Sequence, residues 1–379
     1  MSNLRDRLRR IQELKKTELE QEESPISVDN SALAKKGWLP CGFKTLKREV
    51  TTASPFKLTT ALPQSLAIVV PDLAGRDLPA LNDFLFFDLE TTGLSGGAGT
   101  VAFLAAFGRI VRSGKTNKLR ITQYLLLDYP GENDFLEAVL KEFTGSSVIV
   151  TYNGKCFDSQ ILKTRCLMNG IKPPLYLHAD LLHPARRLWK NIIQDCSQGS
   201  IETKIIGLDR SGDIPGALAP EIWFEFLKTG RIERLTGICD HNTADIAGLS
   251  SILAAMTEIA SDPFDTKYVY DFGRLALYWH YFCRLHDNSN LRITGEKLLR
   301  FASENNIDFP KASLQKINLQ RINAAILRIL AIDSERRLND YNKSMEYVKR
   351  GLKLKDAGEY WKREFERRLE RLEKKIKTF

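Results

Sequence analysis

The chain has 379 residues, 43% of them hydrophobic and 27% charged, with a formal net charge of +9. Its length exceeds one ordinary core, and its composition fits a soluble globular protein of two or more parts. No apolar run approaches a membrane span, Met1 to Arg10 holds no signal core, and the six scattered cysteines form no C-x-x-C pair, so export, a disulfide framework and a zinc site are not expected and a reducing cytoplasm is.

Residues 1–24 resemble a short charged helix, and the stretch to about Ala61 lacks periodicity, so residues 1–64 read as an extension with little core. Apolar runs then predict strands at 67–70, 84–90, 100–110 and 119–127. Phe135, Val139 and Phe143 share one side of a helix over 132–144. A strand at 147–153, a helix at 158–169 and a strand at 175–179 follow. This order implies an α/β domain over 65–258, a mixed sheet covered by helices.

After Thr257 no strand is evident, and helices are expected near 268–286, 291–305, 314–332, 338–353 and 357–377. Residues 259–379 thus read as an all-α region, with lengths that hint at tetratricopeptide-like repeats but no clean period. Residues 261–379 carry 25 Lys and Arg against 17 Asp and Glu, which is nearly all of the excess charge. Such a surface suits a polyanion, because Lys and Arg replace phosphate counterions, though a solvated helical surface looks the same.

Three segments carry chemistry. In Phe84-Leu-Phe-Phe-Asp88-Leu-Glu90-Thr-Thr-Gly-Leu94, residues two apart on a strand share a face, so Asp88 and Glu90 project side by side. Adjacent carboxylates repel, and either one takes a proton or a cation settles both. Asp158 follows the strand Val148 to Asn153 near a helix start, with Asn153 and Lys155 in the same turn; capping the helix would equally account for it. His241 and Asp245 are i,i+4 neighbours on a helix, a pairing more often a surface contact than a site. Gathered at one sheet edge, Asp88, Glu90, Asp158 and Asp245 offer oxygen alone, which suits Mg²⁺ or Mn²⁺ over zinc. Two such ions serve phosphodiester cleavage, and His241 is placed to orient or deprotonate water. Asp180 and Glu202 read as helix-terminal acids rather than site residues.

The three segments resemble the motifs of the DEDD exonucleases of the ribonuclease-H-like superfamily: Asp-Leu-Glu-Thr-Thr-Gly-Leu, Asn-x-x-x-Phe-Asp and His-x-x-x-Asp. The resemblance covers about residues 82–255. It extends, in a bacterial branch of predicted exonucleases, to Leu-Ser-Gly-Gly-Ala-Gly-Thr-Val-Ala-Phe, to Gly-Asp-Ile-Pro-Gly-Ala and to Trp-Phe-Glu-Phe-Leu-Lys-Thr-Gly. It implies a five-stranded mixed sheet flanked by helices and hydrolysis from a 3′ end. It also implies that Asp88, Glu90, Asp158 and Asp245 bind two Mg²⁺ or Mn²⁺ ions. By the same resemblance Thr91, Thr92, Gly93 and Leu94 meet the terminal nucleotide, and Asn153 and Lys155 support Asp158 or touch phosphate. One departure stands out: His241 sits at the offset that Tyr-type members use, which leaves its base role open.

Two other readings stay open. The chain is either a catalytically silent adaptor that grips nucleic acid and holds a protein partner through its C-terminal helices, or a structure-specific endonuclease. Tyr278, Trp279 and Trp361 are candidates for stacking on single-stranded substrate, or plain core residues.

Overall fold

A computed structural model describes residues 30–75, 77–93, 99–144, 148–190, 195–262, 272–285, 292–297, 319–354 and 358–378, together with 193, 267, 268 and 290. The charged helix expected at 1–24 lies outside the described residues. At the centre is one sheet of seven strands: β1 (Leu39–Gly42), β2 (Thr45–Ala53), β3 (Phe84–Thr91), β4 (Ala102–Ser113), β5 (Thr116–Leu126), β6 (Val148–Thr151) and β7 (Leu177–Asp180). Their order is β1-β2-β5-β4-β3-β6-β7. Pairing is antiparallel from β1 to β3, and β3, β6 and β7 run parallel.

Five of these strands, β5-β4-β3-β6-β7, make the mixed sheet expected from the sequence. The other two correct it, because β1 and β2 come from the segment read as an extension with little core. Trp38 and Leu46 are in fact buried. The apolar signal is weak here for a physical reason: β2 has one solvated face, and its inward position 48 holds an arginine. A second correction concerns 67–70, where Leu66–Val69 is a short helix rather than a strand. A run of four apolar residues does not distinguish a buried helical turn from a strand.

Successive residues of β3 point to opposite faces, and both faces are buried. Leu85, Phe87 and Leu89 join one cluster with α3 (Glu132–Lys141), α4 (Asp158–Met168) and α7 (Ala219–Thr229). Within it Trp223 stacks on Phe103 and donates its indole N–H to the Leu126 carbonyl at 3.0 Å. Phe84 and Phe86 join the other cluster, beneath α8 (Glu233–Ser261), α2 (Leu66–Val69) and α5 (Leu182–Trp189). The α1 helix (Asn30–Lys35) and α6 (Gln198–Ile201) complete the domain.

Helix α8 runs 29 residues and, by length and composition alone, is apolar enough to cross a membrane, contrary to the reading of the sequence. It instead lies across β3, β4 and β5, with 67% of its apolar window buried. The second cluster then continues without a break into α9 (Phe272–Leu285), α10 (Leu319–Arg336), α11 (Tyr341–Leu352) and α12 (Glu359–Thr378). Tyr278 and Trp279 are buried in it, and the Tyr278 hydroxyl donates to the Ile259 carbonyl at 3.2 Å. They are core residues, and Trp361 packs partly buried against the same cluster, its ring 6.5 Å from that of Phe365. Residues 292–297 are helical, and the remainder of the helix expected at 291–305 lies outside the described residues.

Candidate active site

The site opens at the carboxyl ends of β3 and β6, where parallel strands leave a crevice. Asp88 and Glu90 stand on one face of β3 as its last turn of pleat approaches solvent. Asp158 is the first residue of α4, delivered by a turn in which Asn153 takes φ +66°. Asparagine tolerates that left-handed conformation better than most residues.

Asp180, at the end of β7, holds this turn. Its carboxylate accepts from the backbone N–H of Asn153 at 2.8 Å, of Lys155 at 3.0 Å and of Leu182 at 3.1 Å. The last of these ties Asp180 to the first residue of α5, whose N-cap is Leu181 rather than Asp180 as expected; the other two fix the approach to Asp158. The Lys155 ammonium reaches Asp72 Oδ1 at 2.5 Å, and Asp72 Oδ2 accepts from the Asp180 backbone N–H at 3.0 Å. Lys155 thus supports the Asp158 turn through Asp72. Thr91 Oγ1 donates to the Gly93 carbonyl at 2.9 Å, and Thr92 Oγ1 accepts from the Val101 N–H at 2.9 Å. These two hydroxyls fix the chain as it leaves β3. Leu94 lies outside the described residues.

The remaining groups come from α8. His241 Nε2 lies 3.2 Å from Asp245 Oδ2, and its Nδ1 lies 2.9 Å from Asp213 Oδ2. Glu90, His241 and Asp245 each present a ligand atom, all within 4.8 Å of one another. Asn242 Nδ2 donates to Asp88 Oδ2 at 2.7 Å. A Cβ at Gly216 would stand 2.8 Å from His241 Nε2, so the bare glycine makes room for the imidazole.

Burial and mutual repulsion dominate the electrostatics. Burial, then the charges of Asp158, Asp245 and Glu90, push the Asp88 carboxyl well above the usual carboxylate range, against the Asn242 hydrogen bond. Burial likewise raises Glu90 to about 8, with His241 opposing and Asp245 and Asp158 reinforcing. Asp158 is raised to about 7 by burial, against lowering by the Leu89 backbone amide. For His241 burial opposes the charge, yet Asp245, Asp213 and Glu90 carry it up to about 9. Three segments distant in sequence therefore set Asp88, Glu90, Asp158, His241 and Asp245 in one electrostatic unit.

Sequence reasoning missed a ring of supporting groups. Arg210 pairs with Asp245, and its Nε lies 2.9 Å from Asp213 and 3.4 Å from Glu202. Glu202 opens a single π-helical turn, Glu202–Ile206, as the first-turn acid expected, and is also fully buried against these groups. Gln198 donates to Glu202 Oε1 at 2.8 Å and to the Asp245 carbonyl at 2.7 Å. The only available signal was Gly-Asp-Ile-Pro-Gly-Ala, whose Asp213 and Gly216 both meet His241. Glu202 Oε2 and Arg210 Nη1 are buried without a hydrogen bond. Crowded carboxylates raised by burial and mutual repulsion are what a hard cation would relieve, and the oxygen-rich donor set fits one.

Residues 85–257 match the RNase H superfamily. A 180-residue stretch is 39% identical to the uncharacterized protein YprB of Bacillus subtilis (strain 168), covering 47% of this chain and 42% of that one. The fold of the sheet domain is RNase-H-like, with a seven-stranded mixed sheet and a helical C-terminal region.

Proposed function

We propose that the chain is a metal-dependent nuclease that hydrolyses nucleic acid from a 3′ end and releases nucleoside monophosphates. The superfamily match points to nuclease chemistry. The observation that carries the metal-dependent reading is the gathering of Asp88, Glu90, Asp158 and Asp245, in which burial raises the first three above the usual carboxylate range. These four would hold two Mg²⁺ or Mn²⁺ ions. Ions held by these four would supply water activation and stabilisation of developing negative charge for phosphodiester hydrolysis.

The protein's own residues set the conditions for that chemistry. Asp180 and Asp72 fix the turn that aims Asp158, and Gln198 holds the Asp245 backbone. His241 carries a proton at neutral pH in this arrangement, which makes it a donor to phosphate or to a leaving group. A base role requires a nearby cationic charge to draw that proton off. Thr91, Thr92, Gly93 and Leu94 are assigned to the terminal nucleotide, and Asn153 and Lys155 to support of Asp158 or contact with phosphate. The basic C-terminal helices are assigned to the single-stranded chain beyond it, or to a protein partner, and the setting is the cytoplasm.

The test uses oligonucleotides in Mn²⁺ with Asp88→Ala as the blank. A 3′-labelled single strand should yield labelled mononucleotide first, and only with wild type. Equal activity in both proteins removes the nuclease reading, binding without turnover supports an adaptor, and cleavage of a circular strand supports an endonuclease. Parallel RNA and DNA arms decide the sugar.

A further inference from the structure

Asp88 has neighbours in register across four strands. Asp88 lies opposite Ala106 on β4, Ala106 opposite Gln123 on β5, and Gln123 opposite Arg48 on β2. Residues opposite one another in a sheet present side chains to the same face. Ala106 contributes only a methyl group, so the row is open between Gln123 and Asp88, and Asn242 of α8 fills the gap. The result is a continuous chain of hydrogen bonds. Arg48 Nε and Nη2 donate to Gln123 Oε1 at 2.9 and 2.7 Å. Gln123 Nε2 donates to Asn242 Oδ1 at 2.9 Å and to the Cys239 carbonyl at 2.7 Å. Asn242 Nδ2 donates to Asp88 Oδ2 at 2.7 Å. Gln123 and Asn242 are both 0% exposed and Arg48 is 7% exposed.

The polarity of this chain is determined at its far end. A side-chain amide has a donor end and an acceptor end and can sit either way round. Arg48 has donors only, so Gln123 must turn its oxygen to Arg48 and its NH₂ to Asn242. Asn242 must then turn its oxygen to Gln123 and its NH₂ to Asp88. Arg48 is itself fixed by the face of Trp38, 5.0 Å from the ring centroid, and by Asp240 Oδ1 at 3.0 Å. None of these groups has an alternative orientation that satisfies the others.

We propose that Arg48, Gln123 and Asn242 are positioning residues: a one-way amide relay, anchored on the N-terminal hairpin, orients the Asp88 carboxylate for a divalent cation. The proposal rests on the reading of Asp88 as a metal ligand. The relay occupies Asp88 Oδ2, and the charges of Asp158, Asp245 and Glu90 act on the same carboxyl. Groups that orient a ligating side chain typically change metal affinity by about 10- to 100-fold when lost.

The decisive variant is Gln123→Glu. The introduced carboxylate accepts from Arg48, so its charge is paired, but it cannot donate to Asn242. Asn242 then turns its NH₂ to that carboxylate and its oxygen to Asp88, acceptor against acceptor. Binding of Mn²⁺ to the full chain, read from the free Mn²⁺ paramagnetic resonance signal, should weaken by about 10- to 100-fold. Melting in chelator reports the fold independently, and kcat on an oligonucleotide should fall while KM holds. If Gln123→Glu does not fold, Arg48→Met and Arg48→Lys replace it. Met should weaken Mn²⁺ binding, with Lys intermediate because it retains one donor. Folded variants that bind Mn²⁺ within twofold of wild type overturn the relay while the metal reading stands. Wild type that binds no Mn²⁺, or Asp88→Ala that binds it equally, overturns the metal reading and the relay with it.

Discussion

A carboxyl group pushed above its ordinary range reports the local potential, and this site holds three. Glu90 is raised to about 8, Asp158 to about 7 and Asp88 well above the ordinary range. In the unfolded chain these groups titrate near about 4. Between those limits the folded state binds more protons than the unfolded state, so stability falls as pH rises. His241, raised from 6.5 to about 9, adds a decline over the upper part of the window. The melting temperature in chelator is therefore expected to drop steadily from about pH 5 to about pH 9. Added Mn²⁺ should reverse the trend, because a cation replaces the protons and binds best where they leave. A chelated melting temperature flat over that range would contradict the burial and repulsion described above. Asp88→Asn follows from the same argument: it fixes a neutral group of the same shape where wild type must lose a proton as pH rises. It should melt above wild type in chelator, each 1 kcal/mol gained being worth about 2–4 °C at this size, and should abolish Mn²⁺-dependent cleavage.

At the scale of elements, α8 does two jobs with one surface, and its glycines show how. A Cβ at Gly248 would stand 1.7 Å from Glu202 Oε1, so the buried acid lies in a groove that the glycine opens. Gly248→Ala should then cost about 1–3 kcal/mol in thermal unfolding, the ordinary penalty of overpacking. Combined with Glu202→Ala the cost should be less than the sum, because the second change removes the clash. Strict additivity would show that Glu202 does not occupy that groove. The same helix explains what could be read in advance. Asp88 and Glu90 two apart on a strand, Asp158 at a helix start, and His241 four residues before Asp245 are local patterns, and each was legible. Glu202 was not, because a π-helical turn shifts the face that a spacing argument assigns. Gln123 looked like an ordinary polar residue in a strand, and its burial depends on Arg48 and Asn242, which lie 75 residues before it and 119 after it. The β2 strand was missed for a related reason: its inward side chain is a cation serving the relay, so the hydrophobic period that marks a strand is absent.

For the molecule as a whole, the two ends of the chain bear on the site in different ways. Toward the N-terminal end, β2 of the β1–β2 hairpin covers the edge of β5 from Thr45 opposite Leu126 to Ala53 opposite Lys118. At the other end the cluster beneath α8 continues through Leu275, Tyr278 and Trp279 to Phe365 and Leu372. Neither end is a separate unit hung on a finished domain. A chain started at residue 30 retains every described element and should melt with the full protein. A chain started at residue 54 bares the backbone of β5, an unpaired edge that invites association with other strands, and loses Arg48 with it. It should be recovered as aggregate, or, where it folds, bind Mn²⁺ more weakly. A chain ended at residue 262 strips α9 from α5 and α2, removes the Tyr278 bond to the Ile259 carbonyl and uncovers the part of the second cluster that these elements share. Apolar surface of that extent is not tolerated in a monomer, so this product should bind a hydrophobic dye and elute at high mass. If it proves monomeric, cooperative in melting and dye-free, the C-terminal helices are an independent module after all, and the continuous core drawn here contributes little to holding α8 over the carboxylates.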